Sequence, residues 1–425
     1  MYFFYSLVLA LVSCAAYPFF ALRRVRPRYR IASDLLERLA FSIPPVEEGG
    51  VWFIMSSVGE VQAAVPLIRK LHRRRPEIPV SVSAFTPQGV VHARSLFDKT
   101  AAVFSPPLDF GFAVRHMLAT LNPRLVVLVE GELWPRFLHE AGKRRIPVVL
   151  VSGRITQKAF SRWQRLRFLA RRVWGALGLA CMQSQTEASY ARFLGAPRAE
   201  ACGNLKFDAV LSESRTDAVE RLQKMAAGRP VWIAGSLRAG EEPLVFEAWR
   251  QVKAKHPNLF FAAVPRHPDK SERSVAEFRG EAPLLRWSEL SNQDARPCDV
   301  LWVDVIGLLA SFYKAADVVF VGGSLLPLGG QNPIEPALCG KPVLMGPFMQ
   351  NFAAAAEALL KTGGAQTVGN ADALAEAVLS LLADEKKRAG MGENARLAME
   401  KHRGAVERSF AMIEPYLKDE TAYGR

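Results

Sequence analysis

Residues 320–336 read FVGGSLLPLGGQNPIEP. The run leading into them, Asp317-Val318-Val319-Phe320-Val321, is apolar without a break after its first residue, as a strand buried on both faces of a parallel sheet must be. Two glycine pairs follow, Gly322-Gly323 and Gly329-Gly330. Glycine admits positive φ and lets a ligand come close to bare backbone N–H groups. Asn332 is then placed to cap a helix whose first position is Pro333. A strand, a glycine loop and a helix N-terminus in that order suit an anion, and a carboxylate one turn inside, Glu335, suits a ribose diol. Glycine pairs also arise in purely structural turns, so the whole string is more specific than the pairs.

Working outward, apolar runs alternate with helical patterns from the Pro44-Pro45 loop onward. Strands are expected at 51–55, 80–84, 125–129, 148–151 and 179–182, with helices such as 61–72 and 112–121 between them. The pattern repeats at 231–234, 259–264, 300–303, 318–321 and 342–345. The expected fold is α/β, with two doubly wound Rossmann-like domains at 23–208 and 209–425. The polar stretch 204–229 is the expected linker. Ligands of such domains sit at the carboxyl ends of the strands, here in a cleft between the two.

A chain of 425 residues is long enough for two cores. Its net charge of +14 invites a nucleic-acid reading, but the basic residues lie beside apolar sequence, which favours a membrane over nucleic acid. The five cysteines are scattered and odd in number, against a disulfide framework or zinc site and in keeping with a reducing compartment. Residues 1–22 carry no charged side chain, and Arg23, Arg24, Arg26, Arg28 and Arg30 follow at once. The order is the reverse of a cleaved signal peptide. It reads as a single-pass anchor with the rest of the chain in the cytoplasm, or as a buried or interfacial helix, which Pro18 favours.

The string at 320–336 resembles the nucleotide-sugar site of GT-B glycosyltransferases, in particular the 3-deoxy-D-manno-octulosonate (Kdo) transferases of lipopolysaccharide synthesis, whose pattern is close to GG-x-N-P-[LI]-E-P. Trp52, Ser57, Gly59 and Glu60 match that family's W-x-H-x-x-S-x-G-E, with Ile54 in place of His. By position alone, Glu60 is either a first-turn carboxylate complementing the helix dipole or a base facing the cleft. The resemblance implies the base. Pro107–Phe110 is similar to P-L-D-F, and Leu128–Pro135, carrying Glu130 and Glu132, to L-V-E-T-E-L-W-P. Gly203–Asp208 reproduces G-N-L-K-F-D, with Lys206 as an anion contact or a hinge charge. Ser57, Glu130, Glu132 and Lys206 are the expected sugar or acceptor contacts, although carboxylates at a strand end are as often ion-paired. Ala234-Gly235-Ser236 with Gly240-Glu241-Glu242 resembles A-G-S-T-x-x-G-E-E, and Pro265–Pro268, with Arg266 and His267, matches P-R-H-P. Gly346-Pro347 and Asn351-Phe352 match G-P-x-x-x-N-F. Val305, Leu308 and Gln331 depart from the family's Thr, Glu and His.

The resemblance implies an inverting transfer of Kdo from CMP-Kdo to a phosphorylated lipid A precursor at the inner membrane. Glu60 would deprotonate the acceptor, and Glu335 would fix the ribose. Ser236, Arg266, His267 and the amides around Gly322, Gly323, Gly329 and Gly330 would hold phosphate, supported by Asn332 and Asn351. No D-x-D pair and no clustered His, Cys and Asp set stands in the sequence, so a metal-free mechanism with no cofactor is expected. Between 158 and 174, six Lys and Arg alternate with Phe160, Trp163, Phe168 and Trp174. This reads as contact with anionic lipid or as a solvated helix packed on the sheet. Two other readings are another GT-B nucleotide-sugar enzyme, such as a hexosamine transferase or epimerase, and a lipid-binding protein that kept the fold without catalysis.

Overall fold

The computed structural model describes residues 31–97, 100–131, 133–208, 215–268, 275–276, 278, 282–290 and 298–418. The chain divides into two compact units, Met1–Asp208 with Arg403–Arg425, and Ala209–His402. The segment 1–22 expected to form an anchor and the expected contact Glu132 lie outside the described residues. Among the described residues no helix is long and apolar enough to cross a membrane.

The first unit is built on seven parallel strands, β1 (Val51–Met55), β2 (Val80–Ala84), β3 (Ala102–Phe104), β4 (Leu125–Val129), β5 (Val148–Gly153), β6 (Leu179–Met182) and β7 (Ala199–Ala201). Their order is β3-β2-β1-β4-β5-β6-β7. Every residue of β1, β2 and β4 is buried, because helices cover both faces of the sheet. Val51, Phe53 and Met55 face one apolar cluster with the helix Val58–Arg74. Trp52 and Ile54 alternate onto the other face, where Trp52 packs on Phe104 and Phe137. Trp52 Nε1 donates to Ser83 Oγ at 2.9 Å, which satisfies its one buried polar atom.

Residues 403–418 correct the expected boundary, since they pack with the first unit rather than the second. The helix Ala405–Ile413 buries Ala405, Val406, Phe410 and Ile413 in the cluster that holds Val51 and Phe53. Asp208 caps it, accepting from Gly404 N–H at 2.6 Å and from Val406 N–H at 2.5 Å. Lys70, in the helix Val58–Arg74, pairs with Glu407.

The second unit repeats the plan with β8 (Val231–Leu237), β9 (Phe260–Pro265), β10 (Leu284–Arg286), β11 (Val300–Trp302), β12 (Val318–Val321), β13 (Val343–Met345) and β14 (Ala365–Thr367). The order is β10-β11-β9-β8-β12-β13-β14, parallel throughout. Trp232, Phe261, Trp302 and Phe320 fill its core beneath the helices Glu242–Lys255 and Ala371–Ala383. The strand order reverses between β1 and β4 in the first sheet and between β8 and β12 in the second. Crossovers leave in opposite directions there, so the strand ends open a crevice that suits a ligand.

Candidate functional site

At the switch point of the first sheet, β1 ends in Ser56-Ser57 and feeds the helix Val58–Arg74. Ser57 caps that helix by accepting from Glu60 N–H, and it donates to Glu60 Oε1 at 3.3 Å. Glu60 Oε2 reaches back to the N–H of Ser56 at 2.6 Å. The motif S-x-G-E is therefore a capping box displaced by one residue. The carboxylate stays partly exposed while being held at a fixed place beside the end of β1. Ile54, where the family has His, is 1% exposed in an apolar cluster, so the residue at that strand position belongs to the core.

Across the switch point, Glu130 follows β4 with φ 65°, a left-handed conformation that is costly for a residue with a Cβ. Its Oε1 lies 2.6 Å from Lys206 Nζ, and both side chains are about four-fifths covered, 19% and 21% exposed. A polar network binds the segment that leads into Lys206. Ser152, at the end of β5 with φ 53°, accepts from Leu205 N–H through Oγ (3.3 Å) and from Gln183 Nε2 through its carbonyl (3.0 Å). Asn204 donates to Gln183 Oε1 at 3.1 Å and accepts from Lys206 N–H at 2.9 Å. Ser152, Gln183 and Asn204 escaped the sequence reading as site residues. For Ser152 and Gln183 the signal is structural, an unusual φ and a position just past a strand, whereas Asn204 stands within the G-N-L-K-F-D string without a role having been read for it.

In the second sheet, Ser236 (φ 56°) ends β8, Arg266 and His267 follow β9, and Gly322-Gly323 follow β12. Ser236, Arg266, His267, Gly322 and Gly323 thus lie at the carboxyl ends of three neighbouring strands, while Gly329, Gly330, Asn332, Glu335 and Asn351 come from the loop and helices that follow β12 and β13. Of the four glycine amides expected to face a ligand, those of Gly322, Gly323 and Gly330 are bound within the fold. Gly322 N–H donates to Gly235 O at 2.8 Å, and Gly330 N–H to Gly323 O at 2.7 Å. The buried carboxylate of Glu241 accepts from the N–H groups of Gly323 (2.5 Å), Ser324 (2.8 Å), Leu325 (2.8 Å) and Arg238 (3.1 Å). Glu241 therefore occupies the place foreseen for a ligand anion. The glycines serve close packing instead: a Cβ on Gly322 would stand 2.7 Å from Ser236 O, and one on Gly329 2.4 Å from Asn351 Nδ2.

Asn332 works one residue away from the expected cap. The helix is Ile334–Leu338, and Asn332 Oδ1 accepts from Ile334 N–H at 3.0 Å. Its Nδ2 donates to Glu335 Oε1 at 3.1 Å. Surrounding protein desolvates Glu335 and raises its carboxyl above the ordinary value, an effect the Asn332 bond partly offsets. Asn351 braces the loop, its N–H donating to Gly329 O (2.8 Å) and its Nδ2 to Gly330 O (3.3 Å). Beside it, at the carboxyl ends of β13 and β14, a hollow of about 660 Å³ is lined by Gly346, Pro347, Gln350 and the helix Ala353–Lys361.

Other motif acids prove to be structural. Asp109 accepts from the N–H groups of Arg136 and Phe137 and caps the helix Pro135–Lys143. Asp304 accepts from both N–H and Oγ of Ser288. Among the described residues no group of three or more His, Cys, Asp or Glu converges as a metal site, and Cys181, Cys202, Cys298 and Cys339 are free thiols.

These two switch-point arrangements coincide with known sequence families. Residues 33–209 match the family described as 3-deoxy-D-manno-octulosonic-acid transferase, and residues 229–398 match glycosyl transferases group 1. The chain is 31% identical to a 3-deoxy-D-manno-octulosonic acid transferase of Haemophilus influenzae, over 98% of this chain and 99% of that one. The chain belongs to the Kdo transferase family. A second Kdo transferase, from Bordetella pertussis, is 34% identical over 86% of this chain and 87% of its own. A solved UDP-N-acetylglucosamine 2-epimerase superposes with a TM-score of 0.57 at 13% identity, covering 89% of this chain and all of its own, a likeness of fold alone. Like other Kdo transferases, the protein is a glycosyltransferase of the GT-B class with two Rossmann-like, parallel-sheet domains.

Proposed function

We propose that this protein moves Kdo from CMP-Kdo to a phosphorylated lipid A precursor in lipopolysaccharide synthesis, by inverting displacement at the cytoplasmic face of the inner membrane. The observation that carries this reading is the position of the family's motif residues. Glu60 and Glu130 flank the switch point of one sheet, and in the other Ser236 lies at the end of β8, Arg266 follows the adjacent β9 and Glu335 lies in the helix entered from the loop after β12. In this mechanism Glu60, held in place by Ser56 and Ser57, takes the proton of the acceptor hydroxyl as it attacks the anomeric carbon of Kdo. CMP departs with its phosphate against Arg266, His267 and Ser236. Side chains supply most of that charge in this reading, because the amides of Gly322, Gly323 and Gly330 already have partners within the fold. Glu335 takes the ribose hydroxyls, and the hollow beside Asn351 has a volume suited to part of a nucleotide. The network around Lys206 and Glu130 takes the acceptor or the sugar.

Membrane attachment is proposed through residues 1–22 and through anionic lipid at the helices Gln157–Arg165 and Arg167–Trp174. Lys158, Arg162, Arg165, Arg167, Arg171 and Arg172 are exposed there. The large apolar residues of this segment divide: Phe160 and Trp174 are buried and Trp163 packs on the core, while Phe168 and Leu166 stay outside at 66% and 56% exposure.

Product mass after incubation with CMP-Kdo and lipid A precursor tests the proposal. A gain of one or more Kdo residues is expected, together with thermal protection by CMP. Protection by UDP and not CMP, with no Kdo-bearing product, overturns it in favour of another nucleotide-sugar reaction.

A further inference from the structure

The register between β8 and β9 aligns Leu237 with Pro265, so the next residue on each strand is an arginine, Arg238 on one and Arg266 on the other. Arg266 N–H donates to Leu237 O at 2.8 Å, which holds the two strand ends together. Among the described residues neither guanidinium has an ion pair or hydrogen bond. Half-buried arginines elsewhere in this unit are paired, as Arg229 is with Asp299 at 3.2 Å. Arg238 is also half-buried, and its stem is positioned. Its N–H is bound to Glu241 Oε2, and its Cγ packs over Gly323, where an added Cβ would stand 3.3 Å away. The amide side chain of Gln331 packs over the same glycine. An arginine so placed offers a planar fork of donors beside the β8–β12 switch point with no counter-ion of its own.

We infer that Arg238 binds an anionic group of the donor, forming with Arg266 a two-arginine clamp across the ends of β8 and β9. The inference rests on the proposed transferase reading and extends it. A nucleoside-monophosphate ester of an octulosonic acid carries two anions, a phosphodiester and a carboxylate. Arg266 with His267 can meet one of them, and a second cation is needed for the other. Arg238 is the half-buried candidate adjoining Arg266 in register.

The test compares wild type with Arg238→Ala and Arg238→Lys, reading the KM for CMP-Kdo, kcat, and inhibition by CMP. Arg238→Ala is expected to raise the KM for CMP-Kdo roughly 10- to 100-fold, as loss of a charge-assisted bond does, with kcat changed far less. A parallel loss of CMP inhibition assigns Arg238 to the phosphate. Undiminished CMP inhibition assigns it to the carboxylate of the sugar. Lysine, with charge but no fork, should recover part of the loss. The bond from the backbone of Arg238 to Glu241 does not depend on the side chain, so the alanine variant keeps the loop; Arg238→Gln serves equally if its melting temperature drops. An unchanged KM and unchanged CMP inhibition in a folded variant overturn the inference while leaving the transferase reading standing. Wild-type protein that neither binds CMP nor consumes CMP-Kdo overturns both.

Discussion

Lys206 and Glu130 meet at 2.6 Å although they come from the loop after β7 and the end of β4, with β5 and β6 lying between those strands in the sheet. Ser152 and Gln183, at the ends of the intervening strands, hold the segment that leads into Lys206, Ser152 Oγ accepting from Leu205 N–H and Gln183 Oε1 from Asn204 Nδ2. Its environment lies between an exposed ion pair, worth about 0–1 kcal/mol, and a buried one whose rupture costs about 3–5 kcal/mol.

Lys206→Met and Glu130→Gln should therefore each lower unfolding free energy by about 1–2 kcal/mol, and the double variant should lose clearly less than the sum. Urea denaturation of the four proteins measures the coupling. Strictly additive losses would mean that the two charges do not sense each other in solution.

Glu60 carries two duties that substitution can separate. Glu60→Gln keeps an oxygen for the N–H of Ser56 and should leave stability within about 0.5 kcal/mol, as mild changes outside the core do. Glu60→Ala loses the reciprocal cap and should cost about 1 kcal/mol. Both variants should lose about 10²–10⁴-fold in turnover if Glu60 is the base. Near-normal turnover of purified Glu60→Gln would reduce this residue to a helix cap.

Glu335 gives a prediction with a definite pH sign. Its carboxyl is raised by desolvation above the ordinary 4.5, so the folded state favours the protonated form. Its contribution to stability is complete below that ordinary value and is lost as pH rises through the folded one. Glu335→Gln should accordingly melt higher than wild type at pH 7, with the gap closing in acid below 4.5, while binding CMP more weakly. Melting curves across pH, paired with CMP calorimetry, read both effects. A variant that melts lower at pH 7 would show that the ionised carboxylate stabilises the fold.

For the basic surface at 157–174, protein lacking residues 1–22 should bind anionic vesicles at low salt and release them at high salt. Each Lys or Arg near such a surface contributes about 1 kcal/mol, screened within a Debye length. Replacing Arg162, Arg165, Arg171 and Arg172 by Gln should abolish the binding while catalysis on detergent-dispersed acceptor remains. Co-sedimentation across a salt series is the measurement, and absence of binding at low salt would make these two helices ordinary packed elements.

The interior of both sheets was legible in the sequence. β1, β2, β4, β6 and β12 fall on the expected residues because strands covered on both faces must be apolar throughout. The four strands that the pattern missed, β3, β7, β10 and β14, are the edges of the two sheets. Each has three residues, and β7 and β14 are exposed at two of them, so no continuous apolar run marks them. In the candidate site, the motifs located the right strand ends but did not reveal the duties of individual groups. Glu241 reads in sequence as part of a glycine-acid string, yet its carboxylate takes the amides that the loop was expected to present. Arg238 stands beside it with no sequence signal, because an unpaired guanidinium is a property of its neighbours.

The return of residues 403–418 to the first unit has a consequence for synthesis. The cluster containing Val51, Phe53 and Val127 is completed by Phe410, Ile413 and Leu417, which a ribosome makes only after all of 209–402. At roughly 5–20 residues per second, the first sheet waits about 10–40 s for its covering helix, with one apolar flank exposed in the meantime. A nascent chain in that interval presents the cell with a chaperone substrate. The second unit, whose residues are contiguous, can close its own core before the first has finished.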